Sequence, residues 1–342
     1  MENKLIIGVI GLGMGAMHLQ GAINCGAEIE AICDVNPERL AKVGMEKNIP
    51  AEKQYTDWHD LLKNDKINAV IIATPDQQHR EMCEAFVAAG KHIMCEKPLA
   101  LTREDLDAII AAANSTDKKF MVGQICRFTP AFAKAKEIID AGTIGELYYV
   151  ESEYAHDYDH MFKSHDETYW RRDALRHGVV GGGCHAVDLL RWYAGDPEEV
   201  FAYGSHKLLP MVPYDDATVA VLKFPNGICG KVFVSTGCKR PYTMRTQIFG
   251  TKGTILCDNT SDHMTLWTVD EDGCSLKADP EIIPIDVNNH NAQSEFETFA
   301  NVILNDKPVA MDAYHGAKTV EACLAIVKSS ELGTPIKPNY NF

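Results

Sequence analysis

The chain has 342 residues, enough for about two domains of ordinary size, and its 46% hydrophobic and 24% charged content lets each bury a core. A net charge of −15 without a basic stripe argues against a nucleic-acid partner, and no apolar run approaches the ~20 residues that span a bilayer. Met1-Glu2-Asn3-Lys4 lacks a clearly basic leader, and the apolar run at 5–10 is too short for a signal sequence, so a cytoplasmic protein is expected. Eleven scattered cysteines without a C-x-x-C pair read as reduced, mostly buried thiols.

Residues 5–10 form a near-continuous apolar run of strand length, as a strand buried on both faces shows. Gly11-Leu12-Gly13-Met14-Gly15-Ala16 follows at once, and a helical pattern then runs through Met17, Leu19 and Ile23. In this strand–turn–helix context the glycines fit a pyrophosphate. Gly11 permits the tight turn, Gly13 admits close backbone approach, and the helix start offers free N–H groups. The next strand, 28–33, ends at Asp34, 23 residues after Gly11. That is near the ~20-residue offset of the acid that binds the adenosine ribose. A carboxylate there favours NAD over NADP, although Arg39 keeps NADP open.

A helix over 37–47 and a short one at 58–62 precede a buried strand at 69–73. That strand ends at Ala73-Thr74-Pro75, and His79 opens a helix reaching Gly90. Loops at the carboxyl ends of parallel strands line the ligand crevice, which makes Thr74, Pro75 and His79 cofactor-edge candidates. A strand over 91–95 leads to Glu96-Lys97-Pro98. A turn lysine is ordinarily just solvated, but this one follows a parallel strand downstream of a dinucleotide fingerprint. A helix at 102–114 carries Thr102 and Asp105 as a cap, and a strand at 120–124 ends in Gln124. Alternating strands and helices make residues 1–124 a doubly wound Rossmann domain.

From 125 onward the pattern becomes α+β. A helix at 130–141 is followed by strands at 146–154, 200–204, 217–224, 228–235, 243–250 and 253–257, with Pro225-Asn226-Gly227 as a hairpin turn. They predict a large, mostly antiparallel open sheet in a substrate-binding domain, 125–342. Its free face suits a homodimer or homotetramer. Helices at 292–304 and 314–330 are expected to pack back on the body. Residues 156–173, with His156, Tyr158, His165, Trp170, Arg171 and Arg172, are dense in hydrogen-bonding and aromatic groups, as a sugar or polyol site is. Glycines 181–183 then lead into a helix on which His185 and Asp188 share a face. A histidine titrating near neutrality suits proton shuttling. Cys184, His185 and Asp188, with His160 or His165, offer the atoms of a metal set. Adjacent residues on a helix diverge and no metal spacing is present, so no metal is expected.

These motifs together resemble the Gfo/Idh/MocA oxidoreductases, the family of glucose–fructose oxidoreductase and inositol 2-dehydrogenase. The resemblance spans essentially the whole chain. It rests on Gly11-x-Gly13-x-x-Ala16, Asp34, Ala73-Thr74-Pro75 with His79, Glu96-Lys97-Pro98, Arg127-Phe128-x-Pro130 and Gly183-x-His185-x-x-Asp188-Leu-Leu-Arg191-Trp192. It implies oxidation of a secondary hydroxyl of a sugar, glycoside or cyclitol, with hydride passing to nicotinamide C4. Lys97 and His185 would be the proton-handling pair. Gly11, Gly13, Met14, Gly15, Asp34, Ala73, Thr74, Pro75, His79, Glu96, Lys97, Gln124, Trp170 and Arg171 would bind the cofactor. His156, Tyr158, His165, Arg172 and Asp188 would join Lys97 and His185 around the substrate. A cis Lys97–Pro98 bond is also implied. One departure stands out: where relatives carry an aspartate four residues before the histidine, this chain has Gly181. Asp188, His177 and Asp173 are candidates to replace it. Two other functions fit the same motifs. One is glycoside cleavage through transient oxidation by tightly held NAD, and the other is a non-catalytic NAD sensor.

Overall fold

The computed structural model describes residues 4–342, and the chain divides into two compact units. The first three residues, part of the argument against a leader, lie outside the described range. Unit 1 runs through Ile125 and takes back residues 291–317 and Phe342; unit 2 holds 126–290 and 318–341.

Unit 1 is built on six parallel strands, β1 (Ile6–Ile10), β2 (Glu28–Cys33), β3 (Gln54–Tyr55), β4 (Ala69–Ile72), β5 (His92–Glu96) and β6 (Phe120–Gly123), in the order β3-β2-β1-β4-β5-β6. All four residues of β4 are buried, which is why it reads as an unbroken apolar run rather than an alternation. Each such Val or Ile contributes ~1.5–3 kcal/mol by leaving water. The order reverses between β1 and β4, and this switch point opens a crevice at the carboxyl ends of the strands. Local chemistry fixes the helices. Asn36 accepts from the amides of Glu38 and Arg39 to start Pro37–Glu46, and Thr102 accepts from the amide of Asp105 to start Arg103–Asn114. The helix Ala292–Leu304 packs on Gly15–Asn24, the helix that follows the glycine turn.

Unit 2 carries an eight-stranded sheet of β7 (Leu147–Ala155), β8 (Glu199–Ser205), β9 (Ala217–Lys223), β10 (Cys229–Ser235), β11 (Thr243–Gly250), β12 (Gly253–Asp258), β13 (His263–Thr268) and β14 (Glu281–Pro284). The order is β14-β13-β12-β11-β7-β10-β9-β8, antiparallel except for the β7–β10 pair. The hairpin expected around Pro225–Gly227 joins β9 to β10. Strands β13 and β14 were not foreseen; β14 is four mostly exposed residues with no buried stripe to betray it. Inward residues such as Ala220, Leu222, Val232 and Val234 are buried, and the helix Cys184–Ala194 covers β7. The opposite face leaves Tyr203, Val219 and Phe233 exposed in register across β8, β9 and β10.

No helix among the described residues is long and apolar enough to cross a membrane. None of the eleven cysteines is in a disulfide.

Candidate active site

The glycine turn sits at the switch point of unit 1. Gly11 has φ +81°, and a Cβ there would lie 2.5 Å from the carbonyl oxygen of Ala73, so only glycine lets the turn and the 73–75 loop meet. Above Gly13 a Cβ would meet nothing within 4 Å. Open space thus lies over a backbone that leads, through Met14 and Gly15, into the uncapped start of Gly15–Asn24. Free N–H groups and the helix dipole there suit a phosphate. Asp34 is buried, with Oδ2 accepting from the Leu12 amide at 2.7 Å and Oδ1 from the Asn36 amide at 2.8 Å. Arg39 Nη1 lies 3.2 Å from the same carboxylate. The amide oxygen of Gln124 is buried with no hydrogen-bond partner among the described residues, an acceptor fit for an amide-bearing ligand. Turn, acid and orphaned acceptor fit the dinucleotide expected from the sequence.

Two buried histidines brace this end of unit 1. The ring of His79 is wholly buried, with Nδ1 3.0 Å from the Pro98 carbonyl and Nε2 3.2 Å from that of Thr74. Each nitrogen thus faces a backbone carbonyl, and the ring N–H donates to one of them, the tautomer deciding which. Contrary to the sequence expectation, His79 ties the Thr74 loop to the Glu96-Lys97-Pro98 turn instead of offering its ring to a cofactor. The Lys97–Pro98 bond is cis, as the resemblance implied.

His18 was missed altogether. Its Nε2 lies 2.5 Å from Glu96 Oε1, and its Nδ1 lies 3.3 Å from Glu295 Oε2. All three side chains are buried. Burial alone would lower the imidazole, but the hydrogen bonds and charges of Glu295 and Glu96 outweigh it and hold His18 up at about 10. Burial would raise Glu96, yet His18, then the Lys97 charge and amide, bring it down to about 2. Glu295 is pushed up by burial more than His18 pulls it down. The other oxygen of Glu96 accepts the Lys97 amide at 3.0 Å. An imidazolium between two carboxylates thus fixes the backbone from which Lys97 projects. Lys97 itself is half-buried.

In unit 2 the aromatic and histidine residues of the sequence expectation largely converge. Tyr154 Oη lies 2.6 Å from Tyr158 Oη and 3.2 Å from His156 Nδ1, and the Tyr154 ring stacks on His185 at 6.1 Å. Tyr242 packs on His156 at 4.7 Å, and His290 lies 6.2 Å from His185. Burial, with help from His160 and Arg171, lowers His156 to about 4, so it is a neutral hydrogen-bonding group at pH 7. Arg171 lies over both Tyr158 and Trp170.

Three expected substrate residues are placed otherwise. His165 is exposed and stacks on Tyr169 at 3.9 Å. Arg172 donates to the Phe162 and Met211 carbonyls and pins the loop. Asp188 is 1% exposed and takes a bidentate pair from Arg127, Nε at 2.7 Å and Nη2 at 2.8 Å, plus the Thr319 hydroxyl at 2.9 Å. Its carboxylate is saturated, which removes it as the substitute for the family aspartate. Arg176 occupies that space instead: a Cβ on Gly181 would lie 2.2 Å from Arg176 Nη1. The buried guanidinium also sits 4.6 Å over the Trp170 ring.

The metal set weighed from the sequence does not assemble among the described residues. A different trio, Cys126, His185 and His290, brings its ligand atoms within 4.8 Å of one another.

The chain is similar to known proteins along most of its length. Residues 5–124 match the model of an oxidoreductase family with an NAD-binding Rossmann fold, and 132–256 match the GFO/IDH/MocA C-terminal domain. The myo-inositol 2-dehydrogenase of Thermotoga maritima is 33% identical over 279 residues, covering 78% of this chain and 79% of that protein. The scyllo-inositol 2-dehydrogenase (NAD(+)) of Bacillus subtilis is 27% identical over 351 residues, covering 98% and 97%. A levoglucosan dehydrogenase solved with NADH and levoglucosan superposes with a TM-score of 0.86 at 25% identity, over 98% of this chain and all of the other.

Proposed function

The chain belongs to the Gfo/Idh/MocA oxidoreductases, and from that premise we propose that it oxidises a secondary hydroxyl of a sugar, glycoside or cyclitol. Unit 1 is the NAD-binding part and unit 2 the substrate-binding part. NAD, when bound, supplies the hydride acceptor. Gly13, Met14 and the helix start would hold the pyrophosphate, Asp34 the ribose, and Gln124 the carboxamide end. The carboxylate at 34 makes NAD the preferred dinucleotide over NADP.

The observation that carries the reading is the Glu96-Lys97-Pro98 turn. Lys97 stands at the carboxyl edge of the nucleotide sheet, with its amide held by Glu96 and the following carbonyl held by His79. A sensor of NAD has no need for so fixed a cation. Lys97 hydrogen-bonds the substrate hydroxyl and lowers the cost of its deprotonation. His185 accepts the proton, with Tyr154 stacked against its ring. Tyr158 and the neutral His156 hydrogen-bond the ring hydroxyls, and the rings of Trp170 and Tyr242 form the apolar wall of a polyol site. Arg176, standing where relatives carry an aspartate, gives this chain a distinct substrate preference.

The exposed Tyr203–Val219–Phe233 row supports self-association through the sheet face as a dimer or tetramer. A screen of sugars, glycosides and cyclitols followed by NADH absorbance tests the function. NADH accumulating in proportion to an oxidised product bears it out. Cleaved glycoside without net NADH would instead establish transient oxidation, and no turnover alongside clear NAD binding would leave a sensor.

A further inference from the structure

Every metal ligand in proteins must be brought to a point by the fold, and unit 2 does this with residues that are 59 and 105 positions apart in sequence: Cys126, His185 and His290. Cys126 lies in the short helical turn Ile125–Phe128, and His185 in the first turn of Cys184–Ala194. His290 directly precedes the asparagine that caps Ala292–Leu304. Cys126 and His185 are buried and His290 is half-buried, so the cluster is shielded yet reachable.

The backbone around it is already tied down. Thr129 Oγ1 donates to the Asn289 carbonyl at 2.5 Å, and Asn259 Nδ2 donates to the Asn289 side chain at 2.9 Å. The passage entering unit 2 and the passage leaving it are thereby held side by side, with Cys126 on one and His290 on the other. A second sulfur lies close by: Met244 Sδ is 3.6 Å from Cys126 Sγ.

The donor set decides the class of ion. One thiolate and two imidazoles, with a thioether beside them and no carboxylate among them, select against magnesium, calcium and manganese and for zinc or copper. Tetrahedral zinc bonds of 2.0–2.3 Å put ligand atoms ~3.5 Å apart, so side chains already within 4.8 Å need only small rotations to close on the ion. Three protein ligands leave one coordination position for water or another donor.

We propose that Cys126, His185 and His290 form a three-ligand zinc site, and that zinc held there takes His185 out of proton handling. The ion displaces the thiol proton of Cys126 and occupies a ring nitrogen of His185. A nitrogen bonded to zinc cannot accept the substrate proton. Zinc is then an inhibitor of the enzyme, acting through a site built by the fold. This consequence for activity rests on the role given to His185 above; the site itself does not.

The test uses the full chain, stripped with EDTA and titrated with Zn2+ or, as a spectroscopic probe, Co2+. The expected result is about one ion per chain and a thiolate-to-cobalt charge-transfer band. Cys126→Ser abolishes the band, and His290→Gln weakens binding by roughly tenfold or more. Turnover of wild-type protein falls over the same zinc range and returns with EDTA, while whatever turnover Cys126→Ser retains is insensitive to zinc. Unfolding in EDTA identifies a variant that does not fold, and the other variant then decides. Absence of the band, or binding unchanged in both variants, overturns the site. Binding as described with turnover unaffected by zinc overturns the inhibition. If no sugar or cyclitol is oxidised, the functional reading fails alone, because the cobalt spectrum still reports the site.

Discussion

Replacing His18 by glutamine removes the cation from between Glu96 and Glu295 while keeping a side chain of similar size. In the native protein the imidazolium lies 2.5 Å from one carboxylate and 3.3 Å from the other, out of water. Breaking a buried pair by deleting one partner costs ~3–5 kcal/mol, because the remaining charge stays buried without compensation. The raised titration of His18 gives a figure of the same size, since a rise from 6.5 to about 10 corresponds to ~5 kcal/mol. The sign follows from linkage. A group raised in the folded state stabilises fully below its unfolded value, here 6.5, and loses that contribution as pH rises toward about 10. Glu96, lowered to about 2, contributes fully above 4.5 and loses it as pH falls. The His18–Glu96 pair therefore stabilises most between about pH 4.5 and 6.5, while Glu295, raised by burial, counts against the folded state above 4.5. Hydrogen exchange of the β5 amides, which reports the opening free energy of this part of unit 1, provides the assay. At pH 6 the His18→Gln protein should open more easily by ~3–5 kcal/mol. At pH 8.5 the gap should be ~2–3 kcal/mol smaller, because the native advantage declines by ~1.4 kcal/mol per pH step above 6.5. A gap below ~1 kcal/mol at pH 6, or one that widens toward pH 8.5, would refute the imidazolium reading.

Three further outcomes are expected. Asp188→Ala should destabilise unit 2 by ~3–5 kcal/mol in urea unfolding, since it strands the buried Arg127 guanidinium; a loss below ~1 kcal/mol would show that Arg127 finds water or another acceptor. Asp34→Ala should weaken NAD binding by roughly tenfold to a hundredfold, the worth of one or two charge-assisted hydrogen bonds. It should also release Arg39 toward a 2′-phosphate, so an unchanged NAD-to-NADP preference in kcat/KM would contradict the assignment. Gly181→Asp, which supplies the aspartate that the family resemblance implied, should disturb folding through the clash with Arg176. Adding Arg176→Ala should relieve it, which paired melting curves would show.

The Rossmann half was legible because its information is local. Buried parallel strands read as apolar runs, caps such as Thr102–Asp105 lie within one turn, and the glycine turn abuts its strand. Lys97 and His185 stood out as candidates for the same reason, each within a short motif. The His18–Glu96–Glu295 cluster was not. Its members are separated by 78 and 199 positions, and a histidine on an amphipathic helix carries no sign of its partners. The only signal was a polar residue at 18, on the same helical stripe as the buried Leu19 and Ala22. The reassignment of Asp188 has a similar cause: sequence spacing put it on the face of His185, but not against Arg127, 61 positions earlier. The trio Cys126, His185 and His290 likewise needed the fold, since metal spacing rules consider neighbours and these ligands come from three separate segments. Strand β14 lacked the alternating burial by which strands announce themselves.

Lys97 bears the central claim, and its replacement by alanine measures that claim most directly. With a substrate identified from the NADH screen, kcat and NAD affinity are to be compared between the wild-type and Lys97→Ala proteins. Turnover should fall by roughly a hundredfold to ten-thousandfold, the range for loss of a positioned proton-transfer group, while NAD binds with similar affinity. Near-normal turnover in the Lys97→Ala protein would contradict the account.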